Sequence, residues 1–356
     1  MIKKRRKIKK KVLIILATFI ILFSGILTYS YCYDPIEDLV ENKKEEIKVE
    51  EETEEEAYVK PSLNIVDEDS TSRPYAVMIN NISAARPYHS GLQEAYIVYE
   101  IIVEGGITRY MALFKDQTNE VIGSVRSSRH YFLDYVMEND AFYVHWGWSP
   151  QAQEDITTYN IDNINGLYYE GTYFYRENIN ISYEHTGYTK MSMLDVAVEK
   201  LNYRTETNKD LLFEYDSESI DYGEVEQASN IDISYSTSLI SNFEYDEENQ
   251  YYLMSINSIP HVDYITDLQY HFKNIITYQI ANNVMAGETT RQEIHNIGSG
   301  EGYYFSNGEV IEITWEKTSR EAQTVYKVAS TGEKLVVNDG NTYIGIQPVD
   351  QNLSLK

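Results

Sequence analysis

The sequence predicts an α+β (or α/β) N-terminal domain with a mixed sheet, followed by a β-rich C-terminal domain. Three observations carry that expectation. Between 74 and 145, short apolar runs alternate with glycine and polar turns, as strands do. Helical patterns at 127–138, 149–158 and 191–201 all fall in the first half of the folded body. From 230 to 348 the chain reads almost entirely as short strands.

The elements follow in order. Residues 1–11 hold eight Lys and Arg and no acid, and 12–31 (VLIILATFIILFSGILTYSY) are uncharged and mostly apolar. A run of about 20 such residues is long enough to span a bilayer. The basic flank on its N-terminal side predicts a cytoplasmic tail at 1–11, a transmembrane anchor at 12–32 and an extracytoplasmic body. A cleaved signal segment is the alternative, with Thr28 and Ser30 as the small residues before Tyr31. The length of the run and the aromatic residues at its end favour the anchor. Cys32 is the only cysteine, which excludes an internal disulfide. Residues 41–60 (ENKKEEIKVEEETEEEAYVK) are charge-rich, so a disordered acidic stalk is expected across 33–70.

Two domains are expected in the body, at 71–215 and 225–356. Residues 74–82 read as a buried strand ending in the polar Asn80-Asn81 turn. A second strand spans 95–103, Gly105-Gly106 make the turn, and 109–114 return as a third. Residues 115–120 are a polar hairpin loop and 121–125 a fourth strand. A helix follows at 127–138, with Ser127 or Ser128 as N-cap, then a fifth strand at 141–145. The next helix, 149–158, has Pro150 in its first turn. Residues 160–190 are loop-like and aromatic, and helix 191–201 closes this half. Beyond it lie a hairpin at 243–256, turning at Glu247-Glu248-Asn249, and one at 302–315, turning at Asn307-Gly308.

Net charge is −26; without the basic tail, 22 basic residues face 56 acidic ones, a body near −34. Such an excess repels nucleic acid, which removes it as a partner, and any anion must meet a local basic pocket. The chain has no GxSxG elbow, HExxH, Walker A or GxGxxG motif. None of its seven His stands at i, i+4 spacing with another, so there is no helical zinc pair. Gly298-Ser299-Gly300-Glu301-Gly302 precedes a strand and reads as a turn.

Charged side chains gather at element ends between 100 and 150, where function usually lives. Arg126 leaves a strand and Ser127, Ser128 and Arg129 open the expected helix. Free N–H groups there, beside two guanidiniums, would bind phosphate or carboxylate. The competing reading pairs Arg126 and Arg129 with Glu100 and Glu104 in an internal ion network. Glu100 and Glu104, at i and i+4 at the end of one strand, face the same side and could hold a divalent cation or position Arg109. His145, followed by Trp146, is a candidate acid/base or a hydrogen-bonded structural residue. Arg176 and His185, in the Tyr175-Arg176 and Tyr183-Glu184-His185-Thr186 stretches, are expected at the rim of one site shared by all of these.

These segments carry a resemblance. R-P-Y-A-V-M-I-N-N, A-A-R-P, S-G-L-Q-E-A-Y-I-V-Y-E, V-E-G-G-I-T-R-Y, I-G-S-V-R-S-S-R-H-Y-F and H-W-G-W-S-P-Q-A resemble the YerB-like lipoprotein family of two-domain bacterial envelope proteins. The likeness runs over about 73–350, ending through G-S-G-E-G, I-T-W-E-K and D-G-N-T-Y-I-G-I-Q-P. It implies a two-domain envelope protein with no established reaction; the N-terminal segment makes the membrane one expected partner, and a cell-envelope component or an envelope protein is the other. Two departures stand out. Tyr31 occupies the position before Cys32 where a lipobox has a small residue, and Thr186 follows His185 where an amide is usual. The order of strands and the Arg-bearing turn is also similar to the LytR-CpsA-Psr glycopolymer transferases, though without that family's Asp in the turn. That analogy implies the alternative function: a metal-assisted transferase or hydrolase on a phosphorylated or polyprenyl-linked glycan. Arginines would grip pyrophosphate and acidic residues would hold a divalent cation such as magnesium.

Overall fold

The computed structural model describes residues 63–217 and 220–356. The basic tail at 1–11, the anchor at 12–32 and the stalk up to residue 62 lie outside the described residues. The end of the expected stalk does not: Val66 is buried in the core, and the N–H groups of Asn64 and Ile65 donate to the Asp339 carboxylate. Leu63, Ile65 and Val66 supply the apolar surface that ends the tether before residue 70.

One sheet dominates. Its strands, numbered in chain order, are β1 Tyr75–Asn80, β2 Ile97–Ile102, β3 Thr108–Phe114, β4 Phe142–His145 and β5 Asn163–Asn165 from the N-terminal region. The C-terminal region adds β6 Glu226–Gln227, β7 Asn274–Ile280, β8 Gly298–Ser306, β9 Glu309–Lys317, β10 Val325–Val328 and β11 Thr342–Pro348. The order is β6-β9-β8-β7-β11-β2-β3-β1-β4-β5, with β10 also on β9. The N-terminal part is mixed: β3 is antiparallel to β1 and β2, whereas β1–β4 and β4–β5 are parallel. The C-terminal region is strand-rich, as expected. The two halves share this sheet. β2 pairs in parallel with β11 from Ile97↔Thr342 to Ile101↔Ile346. Both strands are buried on their two faces, and pairing with each other satisfies two edges that would otherwise be left unpaired.

Alternation along the strands sends side chains into two cores. Ala76, Met78, Ile97, Tyr99, Ile101 and Met111 pack with helix α1 (Phe132–Glu138) and Ile156 of helix α2 (Pro150–Thr158). Val77, Ile79, Val98, Tyr110 and Ala112 face the other way. There they meet helix α4 (Met191–Leu201) and a second, six-stranded sheet ordered 259–260, 251–256, 239–246, 230–236, 353–355, with 271–272 also on 251–256. A short helix α3 (Gly166–Tyr169) precedes α4. The Asn307-Gly308 hairpin forms as read, with both residues at positive φ. Ser149 caps α2 through Ala152 N–H, with Pro150 in the first turn.

Two local expectations fail together. The fourth strand shrinks to Ile122–Gly123 and joins a separate small sheet with 187–189 and 175–176. The helix placed at 127–138 begins at Phe132, with Tyr131 as N-cap, so neither Ser127 nor Ser128 caps it. The reason is competition for backbone hydrogen bonds. Arg126 N–H donates to Met78 O, Ser128 N–H to Gly147 O, and Trp146 N–H to Arg126 O. These hold 125–128 extended, wedged between β1 and β4 where their pairing ends.

Candidate functional site

The wedge sits at the carboxyl ends of β1, β2, β4 and β5. Antiparallel β3 brings its first residues to the same edge through Asn80↔Arg109. Crevices outside such strand ends are where α/β sheets hold ligands. Three guanidiniums gather there. Arg129 grips Glu104 through two hydrogen bonds, Nε to Oε1 at 2.5 Å and Nη2 to Oε2 at 2.9 Å. Arg109 approaches the same carboxylate, Nη2 to Oε2 at 3.8 Å, and donates from Nη1 to Ser127 O at 2.5 Å. Its Nε is buried without a hydrogen-bond partner. Arg126 donates to Glu184 O at 2.9 Å and lies 3.4 Å from the Glu184 carboxylate. The cluster reaches solvent through Glu104 and Arg126, whose side chains are each 23% exposed.

The electrostatics follow from this crowding. Burial pulls Arg109 down to about 9, the Arg129 charge adds to that, and Glu104 opposes it. It stays a cation at neutral pH, buried and short of negative charge. Burial alone would raise Glu104, but the Arg129 hydrogen bonds and the Arg129 and Arg109 charges outweigh it and hold its carboxyl below the usual value.

At the rim, Arg176 forms a two-point contact with Glu170 at 3.0 and 3.2 Å. Its guanidinium lies 3.8 Å from the centre of the Trp146 ring and 4.1 Å from that of Tyr183. His185 accepts from Asn80 Nδ2 at 2.9 Å through Nδ1, which leaves its proton on Nε2, 3.4 Å from Glu184 Oε1. Burial lowers its pKa and the Arg126 charge lowers it further. Ser127 donates its hydroxyl to Trp146 O. Ser128 is fully buried, and its hydroxyl lies 3.5 Å from Arg129 O.

Two expected members are elsewhere. Glu100 lies on the other face of β2 and meets no guanidinium directly. Its carboxylate accepts from Thr108 Oγ1 at 2.5 Å, Asn81 Nδ2 at 3.0 Å, Ser241 Oγ at 2.8 Å and the Tyr343 hydroxyl. Burial pushes its pKa up, and the hydrogen bonds from Thr108, Tyr343 and Ser241 offset only part of that. The expected pairing of Arg126 with Glu100 is therefore corrected, and so is the shared cation. The strand stops at Ile102 and a tight turn starts at Glu104, so the i, i+4 rule no longer applies. Among the described residues no group of three or more His, Cys, Asp or Glu is placed to hold a metal ion. His145 is buried, donates from Nδ1 to Gly147 O at 2.8 Å, contacts Asn163 at 3.2 Å and stacks on Tyr143. Burial lowers it to about 4, so it is a neutral structural ring and does not join the arginines.

Asn80, Glu170 and Glu184 belong to the cluster and were missed as partners. Glu184 stood inside the Tyr183-Glu184-His185-Thr186 stretch, and its adjacency to His185 was the available signal. Asn80 was read as a turn residue, and its place at a strand end was the signal there.

A mixed sheet joined edge to edge to a strand-rich half, with arginines at the strand ends, defines the class: a two-segment α+β protein with a charged cluster at those ends. The chain matches the model described as "Protein of unknown function (DUF3048) N-terminal domain" over residues 62–204 and the matching C-terminal domain over 230–344. It belongs to this family. A Bacillus subtilis (strain 168) relative named "Putative lipoprotein YerB" is 32% identical over 281 residues, spanning 78% of this chain and 81% of the relative. The crystal structure of YerB protein from Bacillus subtilis superposes with a TM-score of 0.72 at 28% identity, covering 84% of this chain and 100% of that one. The resemblance read from the motifs is borne out.

Proposed function

We propose that this chain is a membrane-anchored, extracytoplasmic binding or assembly protein of the bacterial cell envelope whose arginine crevice takes an anionic group. One observation carries the reading. Arg109 and Arg129 share a single carboxylate, Glu104, and Arg126 adds a third guanidinium that is paired only with the largely exposed Glu184. A cationic surplus that is partly desolvated, in a chain of net charge −26, is costly unless an anion meets it. The unpartnered Arg109 Nε supports the same reading. The envelope location rests on the basic flank and apolar run at 1–31 and on the lipoprotein name of the Bacillus relative. Tyr31 before Cys32 favours an uncleaved anchor over lipidation.

Titrating pyrophosphate into the full chain tests the crevice. Saturable binding is expected, weakened at least tenfold in Arg126→Ala and in Arg129→Ala. Equal binding by wild type and both variants, or none to wild type, defeats the reading. Protease added to intact cells tests the topology: the body should be removed and a short anchored fragment left. Full protection of the body overturns it.

A further inference from the structure

A second cleft lies where the single turn Arg86–Tyr88 faces the loop after the strand Ile259–Pro260. Its volume is about 380 Å³, within the range that holds small ligands. The walls are apolar, built from Pro87, Ile256, Ile259, Pro260 and Val262. Ile259 is 70% exposed, and on the same loop Ile265 and Leu268 are 56% and 67% exposed. Apolar side chains gathered uncovered at a cleft mark a binding surface.

Polar groups converge on these walls. Arg86, in the A-A-R-P motif, spends Nε and Nη2 on the neutral Asn81 side-chain and backbone oxygens, at 3.0 and 3.1 Å. No ion pair is found for it among the described residues. His261 also lines the cleft, is 3% exposed, and its Nδ1 has no hydrogen-bond partner. Its Nε2 faces His89 Nδ1 at 2.9 Å. Burial keeps both rings neutral, holding His89 at about 3 and His261 well below its ordinary value. One of the two must donate. Whichever donates, His261 Nδ1 is left with the complementary role toward a polar group.

The acids present narrow the choice. Asp263 lines the cleft, but its carboxylate is taken by Gly91 N–H, Tyr270 Oη and the N–H groups of Ile265 and Thr266, at 2.8 to 3.0 Å. Asp267 stands exposed on the lining. Asp263 is saturated by those donors, so Asp267 is the lining acid left to oppose an anion on Arg86, which weighs far more against a polyanion than against one carboxylate.

We infer that this cleft binds a small molecule with an apolar body and a single carboxylate, the carboxylate on Arg86 and the body against Ile256, Pro260 and Val262. The arginine crevice plays no part in it. A diazirine-bearing hexanoate photolabel, used on the full chain with peptide mapping by mass spectrometry, is the test. The label is expected on peptides spanning 256–267, with hexanoate competing at least tenfold better than hexanol. Arg86→Gln should weaken hexanoate competition tenfold or more. Ser83→Trp, at an exposed rim position, should abolish cleft labelling with an unchanged melting temperature. If Arg86→Gln fails to fold, Ser83→Trp decides. Labelling elsewhere only, hexanol competing as well as hexanoate, or labelling that survives Ser83→Trp each overturns the inference.

Discussion

Glu100 and Glu104 are four residues apart and occupy opposite chemistries. Glu100 sits in the seam between the two family segments, surrounded by neutral donors: Asn81 and Thr108 from one side, Ser241 and Tyr343 from the other. Glu104 sits at the strand-end crevice against guanidiniums. Burial wins at the first and pushes its pKa up; charge wins at the second and holds its pKa down. The seam needs an acceptor to close four hydrogen bonds between elements distant in sequence. The crevice needs a negative charge to keep cations together. The same side chain does both, and only its surroundings separate structural from electrostatic work.

The largest way to break the seam is Glu100→Ala. It leaves buried donors from both segments without an acceptor. The expected loss is on the order of 3–5 kcal/mol in urea unfolding, with pyrophosphate binding kept wherever the protein folds. A loss below about 1 kcal/mol would show that the seam does not depend on its carboxylate.

Glu104→Gln attacks the crevice. Among the described residues it removes the one carboxylate held by Arg129, and it leaves Arg109 facing a like charge. A cost of about 1–3 kcal/mol is expected, partly restored by millimolar pyrophosphate. Restoration separates an anion site from a closed ion network, which would gain nothing from the ligand.

The pH dependence sharpens the contrast, because the two signs differ. Glu100 has a raised folded pKa, so the folded state binds the proton more tightly. Its contribution weakens as pH rises from about 4.5 through the folded value. Glu104 has a lowered folded pKa, so its contribution is present above about 4.5 and is lost as pH falls through the folded value. Difference curves of wild type minus Glu100→Gln and wild type minus Glu104→Gln should slope in opposite directions in acid. Parallel slopes would refute the assignment of environments.

Much of the fold was readable because it is local. The periods at 75–80, 97–102 and 191–201 and the Asn307-Gly308 turn are written in adjacent residues. What escaped was non-local. The β2–β11 pairing joins Ile97 to Thr342, and no short motif encodes a partner that far along the chain. The start of α1 was misplaced because two serines make a plausible cap, while tertiary pairing of Ser128 with Gly147 holds the chain extended. Residue type and element end sufficed to group Arg109, Arg126, Arg129 and Glu104, which the structure brings together at the strand ends. They could not tell that Glu104 would part from Glu100, since that depends on where β2 stops.

The smallest stability effect expected is at Arg126. Its side chain is 23% exposed and its acidic partner Glu184 is 60% exposed, so solvent screens the pair. Removing such a pair costs roughly 0–1 kcal/mol. One hydrogen bond to Glu184 O is lost as well, and water can replace it at that depth. Arg126→Ala should therefore melt close to wild type while losing pyrophosphate affinity, because the exposed guanidinium is the one a ligand meets first. This mutant divides crevice from seam more cleanly than any other. A large destabilisation would make Arg126 part of the frame, and the anion would then have to be sought at Arg109 and Arg129. A near-native melt with unchanged binding would remove Arg126 from the site. Only a near-native melt with lost binding keeps the crevice as a recognition surface distinct from the carboxylate that closes the seam.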